Sequence, residues 1–368
     1  MEERFLGQLL LTGIPGPGLD AETAARLRRL QAGGFILFGR NIESPAQLRK
    51  LIDDLRDLSH FPPIVAIDQE GGRVSRLRLI GNEPPSARQL REKGERRLIE
   101  EHGRLTGRLL RLFGFNLDLC PVLDIAFDDE AGNSLKGRCY GSTANEVIDN
   151  ASTFNAALRA ERILSCGKHF PGYSRAAVDA HEELPVIPLS RDDLEKHELA
   201  PFRALALDLD SIMTCHSHYP AWDAGRPRWP ASLSRNIVTG VLRDQLGYEG
   251  LIMTDDLDMG AILREVPFPS VVRCALEAGN DMLMICHRLE MVESAKNCLA
   301  GLPHVLLDAA LERIEKLKRR LAPPSPFSQE AFASLDRAVW NHRVATLGPG
   351  RALERSPEDG KRSPVETY

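Results

Sequence analysis

Residues 166–185 read CGKHFPGYSRAAVDAHEELP, which crowds Lys168, His169, Asp179, His181, Glu182 and Glu183 around a break at Pro171-Gly172. A buried core has no use for such a set. Similar residues stand where other short apolar runs end: Arg40-Asn41, Asp68-Gln69-Glu70 ahead of Gly71-Gly72-Arg73, Asp124, His216 with His218, and Asp255-Asp256. Carboxylates mixed with Arg, Lys and His suit a polyhydroxylated ligand, because each can pair with neighbouring hydroxyls. Phosphate chemistry has weaker support, since LTGIPGPGLD after the first apolar run lacks the GxGxxG spacing. Cleaving a glycosidic bond requires one group at the anomeric carbon and another to protonate the departing oxygen. Asp255 is a good nucleophile candidate, because a rigid strand end can aim a carboxylate where positive charge develops. Residue types alone leave the proton donor open.

These side chains need elements to hold them. Eight apolar, β-rich runs recur: FLGQLLLTG, GGFILFG, PPIVAIDQ, FNLDLCPVLDI, RILSCGKHF, DSIMTCHSHY, GLIMTDDL and NDMLMICH. Near-continuous hydrophobicity suits parallel strands covered on both faces. Helical patterns separate the runs. Ser44-Pro45 caps one that buries Leu48, Leu51, Ile52 and Leu55, and Ser190 opens another. Ser234 caps a third that buries Ile237, Val238, Val241 and Leu242 and stops at Gly247. The fold class is therefore α/β, a single-domain (β/α)8 barrel over residues 1–347, with polar strand ends converging on its C-terminal mouth. An open doubly wound sheet is the alternative. Ser328 to Leu347 predicts a closing helix, and the polar, Pro/Gly-rich residues 348–368 a disordered tail.

Composition agrees with an ordinary globular chain: 43% hydrophobic residues, 27% charged, and a net charge of −5 with both signs interspersed. No basic footprint for nucleic acid is present. The opening MEERFLGQLLLTG is too short and too acidic for a signal peptide or membrane span, so a cytoplasmic location is expected. Seven cysteines without CxxC pairs argue against a disulfide framework or zinc site, which leaves them as packing residues.

Six motifs in one order, GGFILFGRNIESPAQL, AIDQEGGRVSRL, CPVLDI, GKHFPG, VDAHEELP and TDDLDMGAI, resemble glycoside hydrolase family 3. Within it they are most similar to the single-domain bacterial β-N-acetylglucosaminidases of cell-wall recycling. The resemblance spans about residues 5 to 290. It implies a retaining exo-enzyme with Asp255 as nucleophile and His181, paired with Asp179 on a mobile loop, as acid/base. An aspartate on one ring nitrogen fixes the tautomer and raises the basicity of the other. Family sugar-binding positions fall on Asp68, Arg76, Arg138, Lys168, His169 and, less directly, His216. The implied substrate is a small carbohydrate or muropeptide, with no metal and no organic cofactor. Relatives commonly continue KHFPG with His-Gly, whereas this chain has Tyr173-Ser174. That departure puts loop geometry and substrate preference in question.

Blander readings attach to each residue. Asp255 or Asp256 suits a helix cap, Lys168-His169 a structural ion pair with Asp68 or Asp124, and Trp222 and Trp229 equally the stacking of a second sugar or the pinning of a long loop. Rival functions are a phosphorylase or another family-3 β-glycosidase with the same machinery, a metal-dependent barrel hydrolase built on His169, His216 and His218, and a silent sugar-binding protein. The metal reading lacks the His-x-His that such barrels carry at strand one.

Overall fold

The computed structural model describes residues 3–129, 134–176, 183–226 and 228–356. Asp179 and His181 lie outside the described residues. Eight parallel strands form the sheet: β1 (Leu10–Gly13), β2 (Gly34–Leu37), β3 (Ile64–Ile67), β4 (Leu117–Asp118), β5 (Leu164–Phe170), β6 (Ser211–Thr214), β7 (Leu251–Thr254) and β8 (Leu283–Ile285). Each of the eight apolar runs supplies one strand. The order β8-β1-β2-β3-β4-β5-β6-β7 follows the chain around a ring. A parallel bridge from Met253 to Met282 joins β7 to the entry of β8 and brings the two ends together. Every residue of every strand is buried, as apolar runs between helices and a filled interior require.

The helices follow their sequence signals. Helix Pro45–Leu58 begins at Ser44, whose Oγ accepts from Gln47 N at 3.3 Å, and buries Leu48, Leu51, Ile52 and Leu55 against the sheet. The helix after β6, Asn236–Gln245, buries the expected Ile237, Val238, Val241 and Leu242. Ser234 Oγ accepts from Ile237 N at 3.2 Å. Its turns are wider than those of the α-helix the periodicity predicts: Leu246 N reaches back five residues to Val241 O at 2.9 Å.

Two features shape the mouth. Directly after β3, Gln69–Gly71 and Val74–Ser75 form an antiparallel hairpin that turns at Gly71 (φ 102°) and Gly72 (φ 56°). Gly71 is required twice over, because a Cβ there would also lie 2.2 Å from Pro85 O. The helix Gln329–Leu347, capped by Ser328, closes the outer layer as expected. Residues 348–356 correct the expected tail. They pack on the barrel, with a helical turn at Pro349–Ala352 whose Ala352 O accepts from the buried Arg343 Nε at 2.9 Å. The polar composition that suggested disorder meets a polar partner surface here. Residues 357–368 lie outside the described residues.

Candidate active site

At the C-terminal mouth of the barrel, a cavity is lined by Asp68, Arg138, Lys168, His169, His216 and Asp255, with Ile36, Phe38, Met213 and Met284 as its apolar floor. Parallel strands deliver these residues in sequence: Asp68 follows β3, Lys168 and His169 lie within β5, and Asp255 follows β7. Arg138 comes from the long connection after β4.

Most of the polar lining is cross-linked. Lys168 Nζ lies 2.6 Å from Asp68 Oδ1 and 2.7 Å from Glu70 Oε1. Arg138 forks onto Glu70, with Nε and Nη2 each donating at 2.8 Å. The four side chains are almost wholly buried. Burial alone would raise the Glu70 pKa, but the Arg138 and Lys168 charges outweigh it and hold the carboxyl well below the usual range. Burial would likewise lower Lys168, yet Asp68 and Glu70 keep its ammonium above the ordinary lysine range. Lys168 thus presents a fixed cation beside Asp68 to whatever enters. Arg76 stands behind Asp68, with Nη2 3.5 Å from Oδ2, and is not among the cavity-lining residues.

His169 is oriented by Asp124. Asp124 Oδ2 accepts from His169 Nδ1 at 2.7 Å and from the His169 backbone N at 3.1 Å, while Oδ1 accepts from Tyr173 N at 2.9 Å. A proton on Nδ1 leaves Nε2 as the acceptor of the neutral ring, 3.5 Å from Arg138 Nη2. His216 is held at both nitrogens, by Ser232 Oγ at 2.8 Å and Asp256 O at 2.9 Å. His218 Nδ1 lies 3.1 Å from Trp229 O. The three histidines of the metal-hydrolase reading therefore serve three separate sets of partners. Among the described residues, no group of three or more His, Cys, Asp or Glu is arranged to hold a metal ion.

Asp255 and Asp256 both line the cavity but differ in burial, and the next helix, Gly260–Leu263, starts after Met259 with no side-chain cap. Asp256 is buried, its Oδ1 accepting from Asp258 N at 3.0 Å and Cys286 N at 3.1 Å and its Oδ2 lying 3.3 Å from His287 Nε2. Asp255 is only partly buried and lines the cavity, with Oδ1 accepting from Asp256 N at 2.8 Å. Its carboxylate is thus steadied from the backbone at the wall of the space where a ligand would sit.

Tyr173 and Ser174 now have a physical account. The Tyr173 ring lines the cavity and meets His169 edge-on, with centroids 4.9 Å apart, and its Oη is 2.8 Å from Ser134 Oγ. Ser174 Oγ accepts from Ile125 N at 2.8 Å. The pair fastens the start of the β5 loop to the β4 connection. Residue reasoning missed Tyr173 and Glu70 as members of the site. Glu70 stood in the AIDQEGG motif two residues beyond Asp68, the same-face spacing of an extended chain, and that was the available signal. Trp229 pins its own loop, with Nε1 donating to Leu233 O at 3.0 Å. Cys166 and Cys215 are buried thiols pushed up to about 12 by burial, which suits packing rather than nucleophilic attack. No helix among the described residues is long and apolar enough to cross a membrane.

Comparison with known proteins points the same way as this geometry. Residues 2–317 match the family model described as the glycosyl hydrolase family 3 N-terminal domain. A β-hexosaminidase of Alkalilimnicola ehrlichii is 37% identical over 317 residues, covering 84% of this chain and 89% of that protein. A family 3 β-N-acetylglucosaminidase from Paenibacillus sp. superposes with a TM-score of 0.87 at 30% identity, covering 94% of this chain and 69% of that one. NagZ of Neisseria gonorrhoeae superposes with a TM-score of 0.76 at 26% identity, covering 92% of this chain and 97% of that one.

Proposed function

The chain belongs to glycosyl hydrolase family 3, and from that premise we propose that it is a retaining exo-β-N-acetylglucosaminidase with Asp255 as nucleophile. The observation that carries the reading is the difference in burial between the two neighbouring carboxylates that line the cavity: Asp255 is partly exposed there, while Asp256 is buried, with Oδ1 held by two backbone N–H groups and Oδ2 3.3 Å from His287 Nε2. Asp68, Lys168, His169 and Arg138, with Arg76 behind them and His216 opposite, would clamp the hydroxyls of one terminal sugar. The charges of Asp68, Lys168, Arg138 and Arg76 are already paired, so these groups orient the sugar without competing for the anomeric carbon. A cavity closed below by apolar side chains favours removal of an end residue over cleavage within a chain.

In the first step an Asp255 oxygen bonds to the anomeric carbon as the glycosidic C–O bond breaks. His181, held by Asp179, gives its proton to the leaving oxygen. Water then attacks the same carbon, returns a proton to His181 and frees the Asp255 carboxylate. The natural substrate in this reading is a peptidoglycan-derived fragment met in the cytoplasm, as the motif resemblance implies. The test is hydrolysis of aryl β-N-acetylglucosaminide against aryl β-glucoside, with and without phosphate. We expect hydrolysis of the N-acetylated substrate, no sugar 1-phosphate, and a fall of about 10³-fold or more in kcat for Asp255→Asn. Normal turnover by that variant would overturn the assignment, and sugar 1-phosphate would reassign the reaction as phosphorolysis.

A further inference from the structure

The segment that follows the family match is bolted to the loop that builds the sugar clamp. The match ends at residue 317, yet helix Gln329–Leu347 and residues 348–356 reach the β3 loop at three places. First, His342 stacks on His102 with centroids 5.8 Å apart, and His102 Nε2 lies 3.0 Å from Glu70 O. Second, Asp336 accepts from Asn82, at 2.6 Å from its backbone N and 2.7 Å from Nδ2. Third, Glu83 is a buried hub, its side chain 1% exposed. It accepts from Arg78 Nη1 at 3.0 Å, Arg343 Nη1 at 3.1 Å and Ser356 Oγ at 2.7 Å.

Arg78 and Arg76 belong to one helical turn, Arg76–Leu79, and Arg76 is the residue behind Asp68. A carboxylate that holds Arg78 therefore sets the position of Arg76. Glu83 in turn is held by residues from beyond the family match. Arg343 also donates to Ala352 O at 2.9 Å and to Glu354 O, which ties the last described segment into the same hub. A surface ornament would not bury a carboxylate that takes donors from three residues, because leaving such donors unmatched is costly.

We propose that Glu83, clamped by Arg343 and Ser356, is a positioning residue that acts through the Arg76–Leu79 turn to hold Asp68 for the sugar. The inference rests on the reading of Asp68 and Arg76 as parts of the sugar clamp. Its signature is a loss concentrated in substrate binding, because the hub touches no reacting atom.

The experiment is a double-mutant cycle in the full-length enzyme, read as KM and kcat on an aryl β-N-acetylglucosaminide. Glu83→Gln is expected to raise KM about tenfold, with kcat changed less than about threefold. Arg76→Lys should raise KM similarly, and the double variant should be little worse than the worse single one, because both act on one link. Arg343→Lys keeps the buried charge but cannot reach Glu83, Ala352 and Glu354 at once, so it serves as the second variant should Glu83→Gln fail to fold, and the same KM-centred loss is expected. An unchanged KM in the folded variants overturns the proposal, as do effects that simply multiply. A normal KM for Arg76→Lys alone would instead remove the sugar-clamp reading on which the proposal stands.

Discussion

Glu198 shows how much one side chain's surroundings decide. It precedes helix Leu199–Leu205, is 2% exposed, and packs beneath the β5 loop so closely that a Cβ on Gly172 would lie 2.9 Å from its own Cβ. Burial pushes its pKa up to about 7, and Arg175, with Nε 3.4 Å from Oε1, offsets this only in part. The folded protein thus keeps the proton to a higher pH than the unfolded chain, whose carboxyl titrates near its ordinary value of 4.5. Between those values the unfolded state releases its proton first, so stability falls as pH rises. Glu198→Gln, which cannot ionise, should be near neutral at pH about 4.5 and stabilising by about 1–2 kcal/mol at pH about 8. Urea melts at the two pH values check this, and an equal effect at both would contradict it. Nothing in the spacing of Glu198 marked it, because burial is a property of the neighbours.

At the scale of elements, the cap signals were legible. Ser44 before Pro45, Ser234 and Ser328 all accept from backbone N–H groups where the sequence placed helix starts. Close approach between elements was not. Helix Arg96–Phe113 packs against helix Ala144–Ala160 so tightly that a Cβ on Gly103 would lie 2.5 Å from Phe154 O. Propensity alone says that alanine should gain about 0.5–1 kcal/mol over glycine inside a helix. The backbone contact reverses the sign, because a carbonyl on the facing helix cannot move aside as a flexible side chain would. Gly103→Ala is expected to cost about 1–3 kcal/mol in chemical denaturation. A stabilised variant would mean that the two helices separate at little cost.

Across the whole molecule, the mouth is one network drawn from distant parts of the chain. Lys168 meets Asp68 across 100 positions in sequence, and Arg138 meets Glu70 across 68. Because Glu70 is held below the ordinary carboxylate range, its ionisation stabilises the fold fully above the unfolded value of 4.5 and is lost as pH falls below it. Wild type should therefore lose stability as pH drops through that region. Glu70→Gln, less stable at neutral pH, should close the gap as acid is added. Parallel melting curves from pH about 7 to 3 test this, and a constant gap would show that the charge of Glu70 does not carry the effect.

The sequence by itself determined the barrel, the strand ends that carry polar residues, the helix starts and the motif set of family 3. These are local matters: apolar runs, turn residues and caps are written in contiguous residues, and parallel strands order themselves along the chain. Only the tertiary structure decided that Asp256 is buried onto backbone N–H groups while Asp255 stays partly exposed at the cavity, that Glu70 joins the clamp, and that Tyr173 closes onto Ser134. It alone showed that residues 348–356, polar enough to predict a loose tail, fold onto Glu83 and Arg343. The physical reason is common to all four. Which partner a polar group finds depends on the residues that folding brings beside it, and those lie far away in the sequence.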